Sequence, residues 1–268
     1  MNSLTPALFV GHGSPMNALE DNADSRTWRA LEVLFRGLSQ PPRAILAISA
    51  HWLTRGVAVT AMAAPETIHD FSGFPRELGE LAYPAAGDPV LAARVASLLA
   101  PEPVLLDREW GLDHGVWSVL VHLFPAADIP VVQLSLDAGR DAAAHYQLAM
   151  RLRPLRDEGV LIMASGNVVH NLQRMDWQHP DRAFDWALRF SQRVRRQLEA
   201  GEHAGLCDLS DADAQLAVPT PEHFLPLLYL AAVREAGEPI HCFNDHIEYG
   251  SIGMLSCRVG GPAPKDLD

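Results

Sequence analysis

Four of the twelve histidines in this 268-residue chain stand where secondary structure alone has no use for them. His12 ends an apolar run at residues 7–10 and lies between Gly11 and Gly13 in "ALFVGHGSPM". His51 follows the run 44–50 in "AILAISAHW", and His170 lies just past the run 160–164 in "VLIMASGNVVHN". His223, in "VPTPEHFLPLLYLAAVREAG", stands at the start of a helical pattern. There Thr220 fits the N-cap, Pro221 the first helical position and Glu222 the positive end of the helix dipole, so His223 takes the place where a capping box would prefer glutamate. The dipole disfavours imidazolium at that end and favours the neutral imidazole that a metal requires. Imidazoles suit zinc, iron, copper or nickel, whereas magnesium and calcium want oxygens, so iron or zinc is the sharper expectation. No HExxH is present, and the ligands must therefore converge through the fold.

The elements between these histidines read as a layered α/β domain. Apolar, β-branched runs recur at 7–10, 44–50, 57–61, 129–134 and 160–164, with helical patterns between several of them. Residues 28–38 place Trp28, Leu31, Leu34, Phe35 and Leu38 on one helical face, with Asp24 or Ser25 as a cap. A second amphipathic helix is expected over 182–200, capped by Asp181 and followed by Gly201. Phe184, Leu188, Val194 and Leu198 would face inward, and the basic run Arg193, Arg195 and Arg196 would form a solvated face. A shorter helical stretch lies near 90–99, and Asp113 is a candidate cap for a helix in "GLDHGVWSVL". No composition shift divides the chain, so a single domain over 1–268 is expected. His12, His51 and His170 would then leave the carboxyl edge of a sheet, where open α/β folds build ligand sites. Gly11 and Gly13 give the backbone room to turn beside His12, and Gly166 offers the same before His170.

Composition narrows the partners. Hydrophobic residues make up 48% and charged residues 20%, the balance of an ordinary globular protein. The net charge of −12 lacks the positive field that nucleic acids or anionic membranes require, and no apolar run reaches the roughly 20 residues that span a bilayer. The expectation is a cytoplasmic protein with a small-molecule partner. Cys207, Cys242 and Cys257 are widely spaced without a CxxC pair, which suggests neither a disulfide framework nor a thiolate zinc site.

Taken together, "GHGSP", "SAHW", "DHGVW", "GNVVHN", "PTPEHFLPL" and "YGSIGM", in this order from about residue 5 to residue 257, resemble the bacterial DOPA-type extradiol ring-cleaving dioxygenases. These belong to the class III superfamily that includes the catalytic subunit of protocatechuate 4,5-dioxygenase. The resemblance implies a single three-layer α/β/α domain with a mixed central sheet and a non-haem metal at one edge, with 258–268 left as a flexible tail. By motif, His12, His51 and His223 match metal ligands. His170 matches a further histidine near or on the metal that acts as base, and His114 one that touches substrate or dioxygen. Ser14, Trp52 and Phe224 flank the metal motifs and are candidate pocket residues. The set departs from the two-histidine, one-carboxylate pattern of many iron oxygenases, because Glu222 and His223 diverge by roughly 100° on a helix and would not share one ion.

The implied reaction is cleavage of a catechol with dioxygen at ferrous iron, giving a semialdehyde. Zinc fits the same nitrogens without the redox step. Two rival readings are a zinc hydrolase using the same cluster and a non-catalytic binding protein on the same fold. His246, in "FNDHIEYGS", is the remaining histidine to follow, since it precedes another family-like segment.

Overall fold

The computed structural model describes residues 4–261. Its strands are β1 (Ala7–Gly11), β2 (Ala44–Thr54), β3 (Val57–Thr60), β4 (Val104–Asp107), β5 (Val131–Asp137), β6 (Val160–Gly166) and β7 (Ile240–Phe243). The two-residue pieces β8 (Ile247–Glu248) and β9 (Ile252–Gly253) pair with each other, and β10 (Ser256–Val259) follows. The helices are α1 (Ala23–Arg36), α2 (Arg76–Gly79), α3 (Pro89–Leu99), α4 (His114–Leu123) and α5 (Ala142–Met150). They continue with α6 (Pro154–Asp157), α7 (Asp185–Ala200), α8 (His203–Leu206), α9 (Ala212–Ala217) and α10 (Leu225–Val233).

Eight strands form one sheet in the order β4-β3-β5-β2-β6-β1-β10-β7. The centre, β5-β2-β6-β1, is parallel, while β10 and β7 join antiparallel and β3 meets β5 antiparallel, so the sheet is mixed. Side chains of a strand alternate between faces, and the two cores divide accordingly. Ala7 and Phe9 of β1, with Leu46, Ile48 and Ile162, pack against α3, α5, α7 and α10. Leu8 and Val10, with Ile45, Ala47, Leu161 and Met163, pack against Trp28, Leu31 and Phe35 of α1 and Trp117 and Leu120 of α4. The result is the expected α/β/α layering. Helix α10 is apolar all round, as its sequence LPLLYLAAV implies, and all nine of its residues are buried.

Several local expectations shift. Helix α1 starts earlier, because Asn22 caps it through a reciprocal box with Ser25, and Asp24 is buried instead. Helix α7 begins at Asp185 behind Phe184 rather than at residue 182 behind an Asp181 cap, although Gly201 closes it in a left-handed conformation as anticipated. Leu188 faces outward at 37% exposure, and Arg193 and Arg195 are tied to Asp211, Glu199 and Asp245 rather than simply solvated. Arg258 and Val259 are buried in β10 and do not belong to a flexible tail; residues 262–268 lie outside the described residues. Cys242 and Cys257, far apart in sequence, oppose each other across β7 and β10 as free thiols with Sγ atoms 3.1 Å apart. Among the described residues no helix is long and apolar enough to cross a membrane.

One buried cation ties the edges of this fold together. Arg156 is 1% exposed, and its guanidinium donates to the carbonyls of Thr5 and Val233, each at 2.8 Å, and to both carboxylate oxygens of Glu238. It thereby joins the entry to β1, the end of α10 and the entry to β7. Removing one member of such a pair strands the other charge. Arg156→Ala is expected to cost about 3–5 kcal/mol in urea unfolding, and Arg156→Met combined with Glu238→Leu to recover a large part of that loss.

Candidate active site

Because β6 is inserted between β2 and β1, the three strands that lead to His51, His170 and His12 are immediate parallel neighbours. Gly11 lies level with Gly166, and Ser49 with Ser165, so the chain leaves all three strands at one carboxyl edge. His51 does not follow its strand; it lies within β2, in a bulge. Between Ile48 and Leu53 β2 advances five residues while β5 advances two, from Leu134 to Leu136. Such bulges re-aim side chains beside active sites. The backbone N–H of His51 donates to Ser49 Oγ (3.2 Å), whose hydroxyl donates to Asp113 Oδ1 (2.7 Å). Asp113 precedes α4 without capping it through its side chain; burial pushes its carboxyl up to about 6, against the hydrogen bond from Ser49.

His223 also differs from the expected helical placement. Residues 221–224 form a turn, with the N–H groups of Phe224 and Leu225 both donating to the Pro221 carbonyl (3.0 Å each), and α10 begins only at Leu225. The turn is pinned to the end of β6: the Asn167 N–H donates to the His223 carbonyl (2.8 Å). A Cβ at Gly166 would come within 2.1 Å of that carbonyl oxygen, so only glycine permits the approach.

Three rings then face one another. The centroids of His12, His51 and His223 are 5.0, 5.1 and 5.5 Å apart, and Nε2 of His12 lies 3.1 Å from Nε2 of His51. Imidazoles bound tetrahedrally at about 2.0–2.1 Å have centroids roughly 5 Å apart, so this triangle fits one ion. Each Nδ1 has its own partner. Ser165 spends its hydroxyl hydrogen on the Gly115 carbonyl and therefore accepts from His12 Nδ1 (3.0 Å). His51 Nδ1 faces Asp70 Oδ2 (3.4 Å), and His223 Nδ1 faces Glu222 Oε1 (3.2 Å). These partners place the proton on Nδ1 and leave Nε2 free as a ligand.

Electrostatics agree with that assignment. Burial, followed by the neighbouring histidines, holds His12 and His223 well below the usual histidine range, and burial holds His51 down to about 3. All three are neutral imidazoles near pH 7, the form that binds metal.

His170 and His114 are close but geometrically different. The His170 ring stacks flat on His223, 3.4 Å between centroids and 6° between planes. Its nitrogens come near the ligand atoms of His223 and Glu222, so His170 stands at the edge of the cluster. Burial lowers it to about 4. The His114 ring is 3.9 Å from that of His51, with a nitrogen near those of His12 and His51, and Asp70 Oδ1 accepts from both its backbone N–H (3.0 Å) and its Nδ1 (2.9 Å).

The cluster forms one end of a cavity of about 570 Å³. Ser14, Met16, Phe71, Phe74 and Met175 also line it, and the exposed Trp177 with the half-buried Glu248 and Tyr249 completes its outer part. Trp52 and Phe224 are not lining residues. Trp52 is buried in a stack on Trp110 (centroids 5.6 Å, 2° between planes), and Phe224 is buried against Phe190. His246 lies off the cluster, 3.5 Å from carboxylate oxygens of Asp24 and Glu248. Asp70, which organises two of the five histidines, was missed by the sequence reading; the adjacent His-Asp pair in the glycine- and proline-bearing "IHDFSGFP" was the available signal.

Two substitutions test this arrangement. Asp70→Asn keeps the shape but removes the charge that orients His51 and His114, and should weaken metal binding about 10–100-fold, measured by competition with a chelating dye. Gly166→Ala should displace the His223 turn and lower metal stoichiometry, whereas Gly56→Ala, whose added Cβ meets nothing within 4 Å but lies at φ +84°, should cost only stability.

Comparison with known proteins agrees with the geometry. Residues 6–260 match the family model described as the catalytic LigB subunit of aromatic ring-opening dioxygenase. The chain is 49% identical over 261 residues to a 4,5-DOPA dioxygenase extradiol of Escherichia coli K12, covering 95% of this chain and 94% of that one. It is 39% identical to a 4,5-DOPA dioxygenase extradiol of Beta vulgaris, covering 95% and 98%. A crystal structure of an uncharacterized E. coli K12 protein superposes with a TM-score of 0.83 at 45% identity, covering 96% of this chain and all of that one. A layered α/β domain that gathers histidines able to hold a metal at one sheet edge, with this similarity along almost its whole length, belongs to the family of the catalytic LigB subunit of aromatic ring-opening dioxygenases, and is a metal-dependent extradiol dioxygenase.

Proposed function

We propose that the chain opens the ring of a DOPA-like catechol using ferrous iron held by His12, His51 and His223, with His170 as base and His114 as a substrate-facing donor. The observation that carries this reading is the triangle of neutral imidazoles at the floor of a largely apolar cavity, with two further histidines beside it. Ferrous iron supplies the one-electron chemistry that lets dioxygen react with a catechol, whereas zinc would fit the same nitrogens without it.

The protein's part is to bind, orient and move protons. A catechol entering the cavity meets Phe71 and Phe74, whose ring faces hold an aromatic substrate in register. His170 is neutral and so able to take a phenolic proton, and the negative charge left on the substrate raises its proton affinity when the transfer occurs. Asp70 fixes the ring of His114 through Nδ1, leaving Nε2 as its free nitrogen. The proton that His170 took from the phenol is the one returned as the ring opens, with His114 Nε2 facing the substrate to receive it and hand it on. The two atoms of dioxygen end in the product, one in a carboxylate and one in the adjoining aldehyde, as a ring carbon–carbon bond breaks. A cytoplasmic setting fits the chain's free thiols, since a reducing medium keeps cysteines unpaired.

Anaerobic loading with ferrous iron, followed by DOPA and air, should give oxygen uptake equal to substrate consumed and a new visible absorbance. Zinc-dependent hydrolysis without oxygen uptake would overturn the reading in favour of a hydrolase. His12→Ala, His51→Ala and His223→Ala should lose stoichiometric metal. His170→Ala should keep it while turnover falls about 10²–10⁴-fold.

A further inference from the structure

The outer part of the cavity has a chemistry of its own. Glu248 is the one carboxylate among the residues lining it, and no arginine or lysine lines it. Trp177 and Tyr249 line the same cavity, with ring centroids 5.2 Å apart and planes at 49°. Trp177 is 71% exposed, an unusual state for an indole on a cavity wall. Tyr249 has φ +48°, a left-handed conformation that a non-glycine residue adopts at a cost of about 1–3 kcal/mol. Two short backbone hydrogen bonds hold it there: its N–H donates to the Pro180 carbonyl and its carbonyl accepts from Asp176, each at 2.7 Å. The fold thus spends strain to keep an aromatic ring and its neighbouring carboxylate at this place.

We infer that Glu248, with the faces of Trp177 and Tyr249, forms a subsite for an ammonium group, so that the cavity selects catechols with a cationic side chain over those with an anionic one. The inference rests on the ring-opening reading and assigns the tail of its substrate. A carboxylate flanked by π faces is the environment an alkylammonium prefers, since the ring quadrupoles and the anion attract it together. An anionic tail meets the opposite field and no arginine or lysine to pair with.

The charge behind Glu248 supports this. His246 Nε2 lies between Asp24 Oδ2 and Glu248 Oε1, 3.5 Å from each, and hydrogen bonds to these two carboxylates push it up to about 10. One imidazolium between two carboxylates leaves a net charge of −1. An incoming ammonium balances it, and a carboxylate would double it. Asp24 is buried and cannot itself reach a ligand, so Glu248 is the member that presents this charge to the cavity.

The test uses the iron-loaded full chain and three catechols: dopamine, 3-(3,4-dihydroxyphenyl)propionate and 4-methylcatechol. Dopamine should exceed the propionate in kcat/KM by about tenfold or more, the size of one charge-assisted contact. Glu248→Gln should collapse the dopamine-to-4-methylcatechol ratio by a similar factor, mainly through KM. Equal efficiency for dopamine and the propionate, or an unchanged ratio in Glu248→Gln, overturns the inference while leaving ring opening intact. Failure to open 4-methylcatechol would instead count against the ring-opening reading. In that case calorimetric titration with tyramine and 3-(4-hydroxyphenyl)propionate still decides the subsite: tighter tyramine binding that Glu248→Gln abolishes supports it, and no preference overturns it.

Discussion

Two imidazole nitrogens 3.1 Å apart pose the problem that this protein is built around. With the protons of both rings held on Nδ1 by Ser165 and Asp70, the two Nε2 lone pairs face and repel each other. A cation between them resolves the conflict. Burial keeps the rings uncharged, but burial also requires a partner for each Nδ1, because an unpaired buried donor costs about 1–3 kcal/mol. Ser165, Asp70 and Glu222 meet that requirement from three separate segments of chain. The metal-binding tautomer is thus a property of the fold as a whole.

Topology brings those segments together. With β6 between β1 and β2, three carboxyl ends lie side by side, and two glycines let the chain come close enough for the rings to meet. Gly166 admits the His223 carbonyl, and Gly11 admits the backbone of Met254, which a Cβ would approach to 2.6 Å. Beneath them Asp113, held by Ser49 and Gln133, links α4, β2 and β5. The same Ser49 oxygen supports the bulge that turns His51, so a buried carboxyl in the core bears on where a ligand nitrogen points.

The sequence reading located the runs of β-branched residues and the histidines beyond them, and hence the sheet and the edge on which the site stands. It also identified His12, His51, His170, His223 and His114 as one group. It went astray where tertiary contacts override local signals. Thr220, Pro221 and Glu222 look like a helix start, yet the pull of Asn167 on the His223 carbonyl holds them in a turn. The bulge in β2 depends on registry with β5, which no local pattern displays. Trp52 and Phe224 flank metal ligands in sequence, but neighbours in a strand or at a helix start point in different directions, and both side chains went to the core. Asp70 acts from a loop with no periodicity to mark it.

The cavity divides chemical labour according to rigidity. Its floor is built on strand ends and on turns locked to them, where a displacement of a few tenths of an ångström would spoil the ligand geometry. Its outer walls come from loops and short elements: residues 71–74 before α2, 172–177, and 248–249 at the end of β8. Loops accept substitution more readily than strand ends. A family with this plan can therefore keep one metal reaction while changing which ring enters, because the residues that meet the substrate's tail are not those that hold the ion. On this view a residue such as Glu248 governs the identity of the substrate and Asp70 the competence of the metal, and the two properties can vary independently.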